Sequence, residues 1–431
     1  MTAPMDADRT MLDYFQARST GSAPDGLLEA TLGAIDTTPQ RAAWRTLEWW
    51  LPSARADTVA WHGRRIAVVA VVALLIIALV AAAILGSSGQ RLPPPFGLAR
   101  PGAIVMDVGG DIYLAGSDGT NATKLFAGPH WDGHATFSPD GTKIAFESAQ
   151  DDKSIALMVM RADGTGQATL MGRLALVDDF IAWSPDSRWI ATAAQPFDDS
   201  AGPLFPSQDA RIIVADVEHG TASFVGGLDT YGHLPAWSPD GTTLAFGQSY
   251  PCFCAPEGAL WSMRPDGSRK HLLSSVSGGG APAWSPDGKR IALLGVGVND
   301  DSDLYLVGTD GTGQQNVTDD PGNESVPVWS PDGTRIAFAR MLDSQNRAEL
   351  RILDVGDGRV TTLHGANVTH DPPVWSPDGT HILAYVYTKP DNPDHVSQYD
   401  TLGIFDVTDG SPPVQIPVTG LRYASWQRLA P

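Results

Sequence analysis

Five residues, Trp-Ser-Pro-Asp-Gly, recur along this chain at a spacing that leaves little freedom for its fold. They stand intact at 237–241, 284–288, 329–333 and 375–379. They stand with one change each at 137–141, where Phe137 replaces the tryptophan, and at 183–187, where Ser187 replaces the glycine. The anchor aromatics 137, 183, 237, 284, 329 and 375 follow one another at intervals of 46, 54, 47, 45 and 46 residues. A period of that size marks one supersecondary unit copied in tandem, about the length of four short strands.

The motif predicts a turn. Proline suits the second position of a type I turn, aspartate tolerates the third, and glycine takes the left-handed conformation that closes a hairpin with a bulge. The strand after the turn alternates as a pleat demands, with Ile144 and Phe146, Leu244 and Phe246, Ile291 and Leu293, and Ile336 and Phe338 each flanking an alanine. The tryptophan before the turn is expected to pack as a wedge between units, because bulky aromatics dominate core burial.

A second hairpin signature, strand then Asp-Gly or a variant then strand, lies between these turns at 111–125, 157–170, 211–225, 259–273, 303–317, 349–363 and 402–416. Seven such hairpins face only six turn motifs. The chain end resolves the mismatch, because Tyr423-Ala-Ser-Trp426 matches the strand that leads into the motif, with its tryptophan 51 residues after Trp375. The strands at 103–107, 111–115 and 123–127 lack a first partner, and the C-terminal strand can supply it. Closing a ring in this way removes the exposed edges of an open array. The expected fold is all-β: a seven-bladed β-propeller, with six blades as the alternative, closed by the C-terminal strand.

These residues resemble the TolB-like propeller family with WD40-like Pro-Asp (PD40) repeats, over residues 101 to 427. The resemblance implies a β-propeller over that stretch. The family's namesake places an α/β domain before a six-bladed propeller and works as a soluble periplasmic protein. Here an apolar span stands in that place and seven units are counted, so a role in the Tol-Pal system does not carry over.

The span runs from Ile66 to Leu85, twenty residues without a polar side chain. At ~1.5 Å per residue it is long enough to cross a bilayer core of ~30 Å. It begins after 65 residues, which fits an uncleaved signal anchor and not a cleaved signal peptide. Arg55, Arg64 and Arg65 precede it closely while Arg91 and Arg100 follow at greater distance, so the N-terminus is expected in the cytoplasm. The expected layout is a cytoplasmic head at 1–65, partly helical or disordered, a transmembrane helix at 66–86, a Pro-rich spacer at 87–101 and an extracytoplasmic propeller at 102–431. In the head, Ser22 to Asp25 reads as a helix start, followed by Leu28, Leu32 and Ile35 at helical spacing. Trp44, Leu47, Trp50 and Leu51 lie along one face that can dock in the headgroup layer or on a partner; a loosely ordered linker is the plainer alternative.

Charge is uneven. Residues 1 to 100 hold 9 of the 29 basic and 8 of the 49 acidic residues, leaving 20 basic and 41 acidic in the rest, a net of −21. So acidic a domain would repel nucleic acid, which is excluded as a partner. Catalytic signatures are missing: there is no Gly-x-Ser-x-Gly elbow, no phosphate-binding Gly-x-x-x-x-Gly-Lys-Ser/Thr loop, no His-Glu-x-x-His and no paired Cys-x-x-Cys. Cys252 and Cys254 are too few for a disulfide framework; a local disulfide, an intermolecular thiol, a metal pair and two inert cysteines all fit them.

In a four-stranded blade the two tight glycine turns open on one face, and the longer loops, at 195–209, 248–258 and 388–399, open on the other. Long loops on a rigid scaffold carry function, so a protein or cell-envelope ligand is expected on that face. Just before each anchor aromatic the chain enters the channel there, through Asp132, His134, Asp178, Asp179, His233, Glu324, His370 and Asp371, joined by Arg422. Oxygen ligands suit calcium or magnesium and histidine with carboxylate suits a transition metal, so this ring is the candidate for a divalent cation or a cationic ligand group. The plainer reading is that these groups solvate a wet pore and cap strand ends. No other cofactor is expected. The function expected is a membrane-anchored binding module, sensory or scaffolding and not an enzyme; the alternative is a propeller enzyme acting on a small molecule or sugar at a metal-containing pore.

Overall fold

The computed structural model of the chain divides it into two units, Met1–Ser87 and Ser88–Pro431. It describes residues 97–176, 180–197, 210–227, 232–248, 258–276, 280–297, 299–319, 321–342, 347–363, 368–369, 371–386, 401–408, 411–416 and 421–430. The head, the apolar span and most of the spacer lie outside the described residues, as do Cys252, Cys254 and most of the three long loops. Among the described residues there is no helix long and apolar enough to cross a membrane.

Strands and turns make up the fold. In chain order the strands are β1 (Arg100–Val108), β2 (Asp111–Ala115), β3 (Thr123–Phe126), β4 (Asp132–Phe137), β5 (Lys143–Ala149), β6 (Ile155–Arg161), β7 (Ala168–Leu176), β8 (Ala182–Trp183), β9 (Trp189–Pro196), β10 (Arg211–Asp216), β11 (Thr221–Phe224), β12 (His233–Trp237), β13 (Leu244–Gly247), β14 (Leu260–Met263) and β15 (His271–Ser274). They continue as β16 (Ala283–Trp284), β17 (Arg290–Val296), β18 (Ser302–Gly308), β19 (Gln315–Asn316), β20 (Val328–Trp329), β21 (Arg335–Met341), β22 (Arg347–Asp354), β23 (Val360–Thr362), β24 (Val368–Thr369), β25 (Val374–Trp375), β26 (His381–Val386), β27 (Thr401–Asp406), β28 (Val414–Ile416) and β29 (Leu421–Leu429).

Neighbours in sequence pair antiparallel in sets of four, as β12 to β15 and β16 to β19 do. Every hairpin expected between the turn motifs forms. The first set is completed from the far end of the chain: β29 pairs β1, with Val105 opposite Ser425 and Met106 opposite Ala424, giving the order β29-β1-β2-β3. The expected closing strand is therefore in place. Two contacts between sets were not foreseen, β7 with β9 and β22 through β24 to β26; they join neighbouring sets into continuous sheets of eight and nine strands.

The six turn motifs share one hydrogen-bond pattern that includes the serine. In the copy at 285, Gly288 N donates to Ser285 O at 2.8 Å, Ser285 Oγ donates to Asp287 Oδ1 at 2.6 Å, and Arg290 N donates back to Ser285 Oγ at 3.0 Å. The glycines take the left-handed region, with φ of 69° at Gly141 and 71° at Gly379, and Ser187 holds the same conformation at 60°. The copies also stack. A Cβ on Gly241, Gly288, Gly333 or Gly379 would lie 3.4–3.8 Å from the proline of the copy before it.

Apolar clusters lie between successive sets. Phe338, fully buried, packs with Ala292 and Leu304 of the set before it, and Trp426 packs with Ile104, Leu383 and Ile404 where the last set meets the first. The anchor tryptophans are wedges, as expected, and they also carry hydrogen bonds. Each indole donates to the carbonyl just before the previous anchor: Trp183 to Thr136 at 3.3 Å, Trp237 to Ala182 at 3.1 Å, Trp284 to Ala236 at 3.2 Å, Trp329 to Ala283 at 3.0 Å and Trp375 to Val328 at 3.0 Å. The first strands of the sets thus stand side by side around a common centre.

Candidate functional site at the entry to the first strands

The entry residues do not all face one way, and the backbone explains why. Between Gly133 and Thr136 β4 carries one more residue than β5, and between His233 and Ala236 β12 carries one more than β13. The extra residues at these bulges, His134 and Leu234, hold φ of 52° and 50°. A bulge resets which side chain points to which side of the sheet. Asp132, five residues before its anchor, is consequently buried within its own sheet, where Gly128 N donates to Oδ2 at 2.6 Å and burial raises its carboxyl above the usual range.

Around His134 several side chains from neighbouring sets meet. The buried Glu147 of β5 holds Nδ1 of His134 at 2.8 Å, with side-chain exposures of 12% for the histidine and 3% for the glutamate. Asp107, buried in β1, accepts from the backbone N–H of His134 at 3.2 Å and from that of Tyr423 in β29. One carboxylate therefore clamps the first strands of two adjacent sets. Gly133 permits the approach, since a Cβ there would overlap the Trp131 ring and Asp107. Trp131, His134, Tyr423 and Phe180 then follow one another edge to face, with centroids 5.1, 5.8 and 6.4 Å apart. These half-buried rings, beside the buried carboxyl groups of Asp107 and Glu147, form one aromatic wall across neighbouring sets.

Of the other expected ring residues, His233, Glu324 and Asp371 are among those described. His233 stands in β12 against Gly247, and burial pushes its imidazole pKa down, so it is held neutral. Glu324 lies at the joint before β20, 1% exposed, beside Asp303 and Asp301 of the preceding set. Asp371 accepts from Thr369 Oγ1 at 2.6 Å. Asp178, Asp179 and His370 lie outside the described residues, as does the Arg422 side chain. Asp132 bonds to Gly128, His134 to Glu147, Glu324 to Thr318 and Asp371 to Thr369, and among the described residues no three His, Cys, Asp or Glu side chains stand together so as to hold a metal ion. Asp107, Glu147, Trp131, Phe180 and Tyr423 were missed. A charge inside an apolar strand, as in Val105-Met106-Asp107-Val108 and Ala145-Phe146-Glu147, was the available signal.

Residues 260–403 match the family described as the TolB beta propeller domain. No curated protein sequence matches the chain. Among solved structures, the beta-propeller domain of the trilobed protease from Pyrococcus furiosus, described as having an open velcro topology, is similar with a TM-score of 0.52 and 14% identity, over 76% of this chain and 97% of that one. An oligogalacturonate lyase in complex with manganese is similar with a TM-score of 0.53 and 15% identity, over 69% and 91%. TolB from Acinetobacter baumannii matches with a TM-score of 0.46 and 18% identity, over 77% and 81%. The described part of the chain is an all-β propeller fold, and its segment 260–403 carries the TolB-type repeat sequence.

Proposed function

We propose that the chain is a single-pass membrane protein, anchored through residues 66–85 with its N-terminus in the cytoplasm. Its external propeller binds a protein or cell-envelope ligand on the variable-loop face. The observation that carries the binding reading is the wall of Trp131, His134, Tyr423 and Phe180 over Asp107 and Glu147, built from neighbouring sets and fixed by packing. A basic group suits it: aromatic faces attract a cation by about 0.5–2 kcal/mol, and the net charge of −21 over 101–431 draws such a partner in. Crosslinking in intact cells tests this. Full-length and head-deleted chains are expected to capture the same partner, while a propeller-deleted chain and a Trp131→Ala/Tyr423→Ala variant of native melting temperature are not. Equal capture by that variant would contradict the reading.

We also read the domain as seven blades closed into one ring. Support comes from the apolar clusters, which link each four-strand set to the next and the last set to the first. An electron-microscopy map with six blades would overturn the count.

A second reading, an enzyme acting on a small molecule or sugar at a metal-containing pore, draws on the His134–Glu147 pair, in which a buried carboxylate orients an imidazole as a general base requires. Calorimetric titration of the propeller with calcium, zinc and manganese decides it. Heat that disappears in an Asp178→Ala/His370→Ala variant supports a metal site; heat that is absent or unchanged removes it.

A further inference from the structure

The joint between the β16–β19 and β20–β23 sets holds three carboxylates that their surroundings satisfy only by half. Asp301 Oδ2 accepts from Gly322 N at 2.8 Å, Asp303 Oδ2 from Asn316 Nδ2 at 2.7 Å, and Glu324 Oε2 from Thr318 Oγ1 at 3.2 Å. The second oxygen of each, Asp301 Oδ1, Asp303 Oδ1 and Glu324 Oε1, is buried and receives no donor among the described residues. Asp303 and Glu324 are each 1% exposed, and their carboxyl groups lie within hydrogen-bonding reach of one another. Around them stand Asp319, which adds to the negative field at Asp303, Tyr305 on the same strand, and the Arg340 guanidinium of β21. Burial raises the carboxyl groups of both Asp303 and Glu324, and a negative charge on both at once is disfavoured, since an uncompensated buried ion costs several kcal/mol.

The backbone makes this a mechanical joint. Glu324 N donates to Ser302 O at 2.9 Å, Ser302 N donates to Asn323 Oδ1 at 3.0 Å, and Ser325 is bonded in both directions to Ala339 of β21. The connection 321–325 is therefore pinned to Asp301 and Ser302 of one set and to the second strand of the next.

We propose that Glu324 is held as a neutral carboxylic acid whose proton bridges to Asp303, and that this joint is a pH-responsive clasp between two neighbouring sets. The proton serves Asp303 Oδ1 and Glu324 Oε1, two buried oxygens that receive no other donor among the described residues. Burial, and then the Asp303 charge, push the Glu324 carboxyl up to about 8. Folded-state binding is raised above the unfolded value, so the contribution to stability is complete below about pH 4.5, is lost progressively as pH rises, and is gone above about pH 8. Ionisation at alkaline pH sets a second buried negative charge beside Asp303 and loosens the 321–325 connection.

Thermal unfolding of the full-length chain and of Glu324→Gln between pH 4.5 and 9 tests the clasp, because glutamine keeps a donor toward Asp303 but does not titrate. Relative to the variant, the wild-type folding constant is expected to fall by up to about tenfold per pH unit until about pH 8 and then run parallel. A second variant, Asp303→Asn, removes the neighbouring charge and should move the fall to lower pH. Infrared spectra at pH 7 should show a protonated-carboxyl band in the wild type that Glu324→Gln lacks. Parallel pH profiles for wild type and Glu324→Gln, or identical infrared spectra, would overturn the proposal. So would a calcium-induced rise in melting temperature that Glu324→Gln abolishes, since a metal ion and not a proton would then fill the gap.

Discussion

Trp329 and Trp426 offer an internally controlled test of what the anchor aromatics contribute. Both are buried, at 7% and 6% exposure, and both wedge between sets. They differ in one hydrogen bond: the Trp329 indole donates to Ala283 O at 3.0 Å, while Trp426 Nε1 meets no acceptor among the described residues. Replacing either by phenylalanine removes a similar volume and a similar transfer energy, of about 1–2 kcal/mol if the site partly collapses. Trp329→Phe additionally leaves the Ala283 carbonyl without its side-chain donor, which adds about 1–3 kcal/mol. Trp426→Phe loses no bond and relieves an unsatisfied donor. The expected gap between the variants is therefore about 1–3 kcal/mol, or roughly 2–6 °C in melting temperature for a domain of this size. Denaturant unfolding with m-values checked for two-state behaviour measures it. Equal losses for the two variants would refute the indole-to-carbonyl chain as a stabilising element and leave the tryptophans as packing alone.

Removing residues 421–431 strips β29 from β1, exposes two sheet edges and empties the cluster around Trp426, so the truncated domain is expected to aggregate or to be unfolded at 37 °C; light scattering and circular dichroism read this, and an unchanged melting temperature would contradict ring closure by this strand. Ser285→Ala leaves the Arg290 N–H without its acceptor and is expected to cost about 1–3 kcal/mol at pH 7. The Ser285 hydrogen bond also holds Asp287 below its usual pKa, a contribution present above about pH 4 and lost as pH falls through the folded value, so the penalty of Ser285→Ala should shrink in unfolding measured near pH 2.

The turn motif, its period and the hairpins between its copies made the strand plan legible from the sequence, including the pairing of Tyr423 to Trp426 with the first strand. That plan is written in short-range chemistry: the turn conformation of Ser-Pro-Asp-Gly and the alternation of residues such as Ile336 and Phe338. The entry residues were less legible. Counting back from the anchor puts Asp132, His134 and Glu324 at one mouth, but the bulge at His134 turns Asp132 into its own sheet, and Glu324 is drawn to Asp303 of the preceding set. A bulge leaves no mark in a two-residue alternation when its left-handed residue is histidine or leucine and not glycine. The carboxylate clamp of Asp107 likewise depends on Tyr423, 316 residues away in sequence, and only the pairing of β29 with β1 brings the two together.

The central claim, an external propeller on a cytoplasmic head, is tested most directly by protease added to spheroplasts that carry the full-length chain with a tag at each end. The account predicts that the C-terminal tag and the propeller are cut away or released while the N-terminal tag stays protected on a membrane-bound fragment containing residues 66–85. Protection of the C-terminal tag with loss of the N-terminal one, or recovery of the intact chain in the soluble fraction, would contradict it.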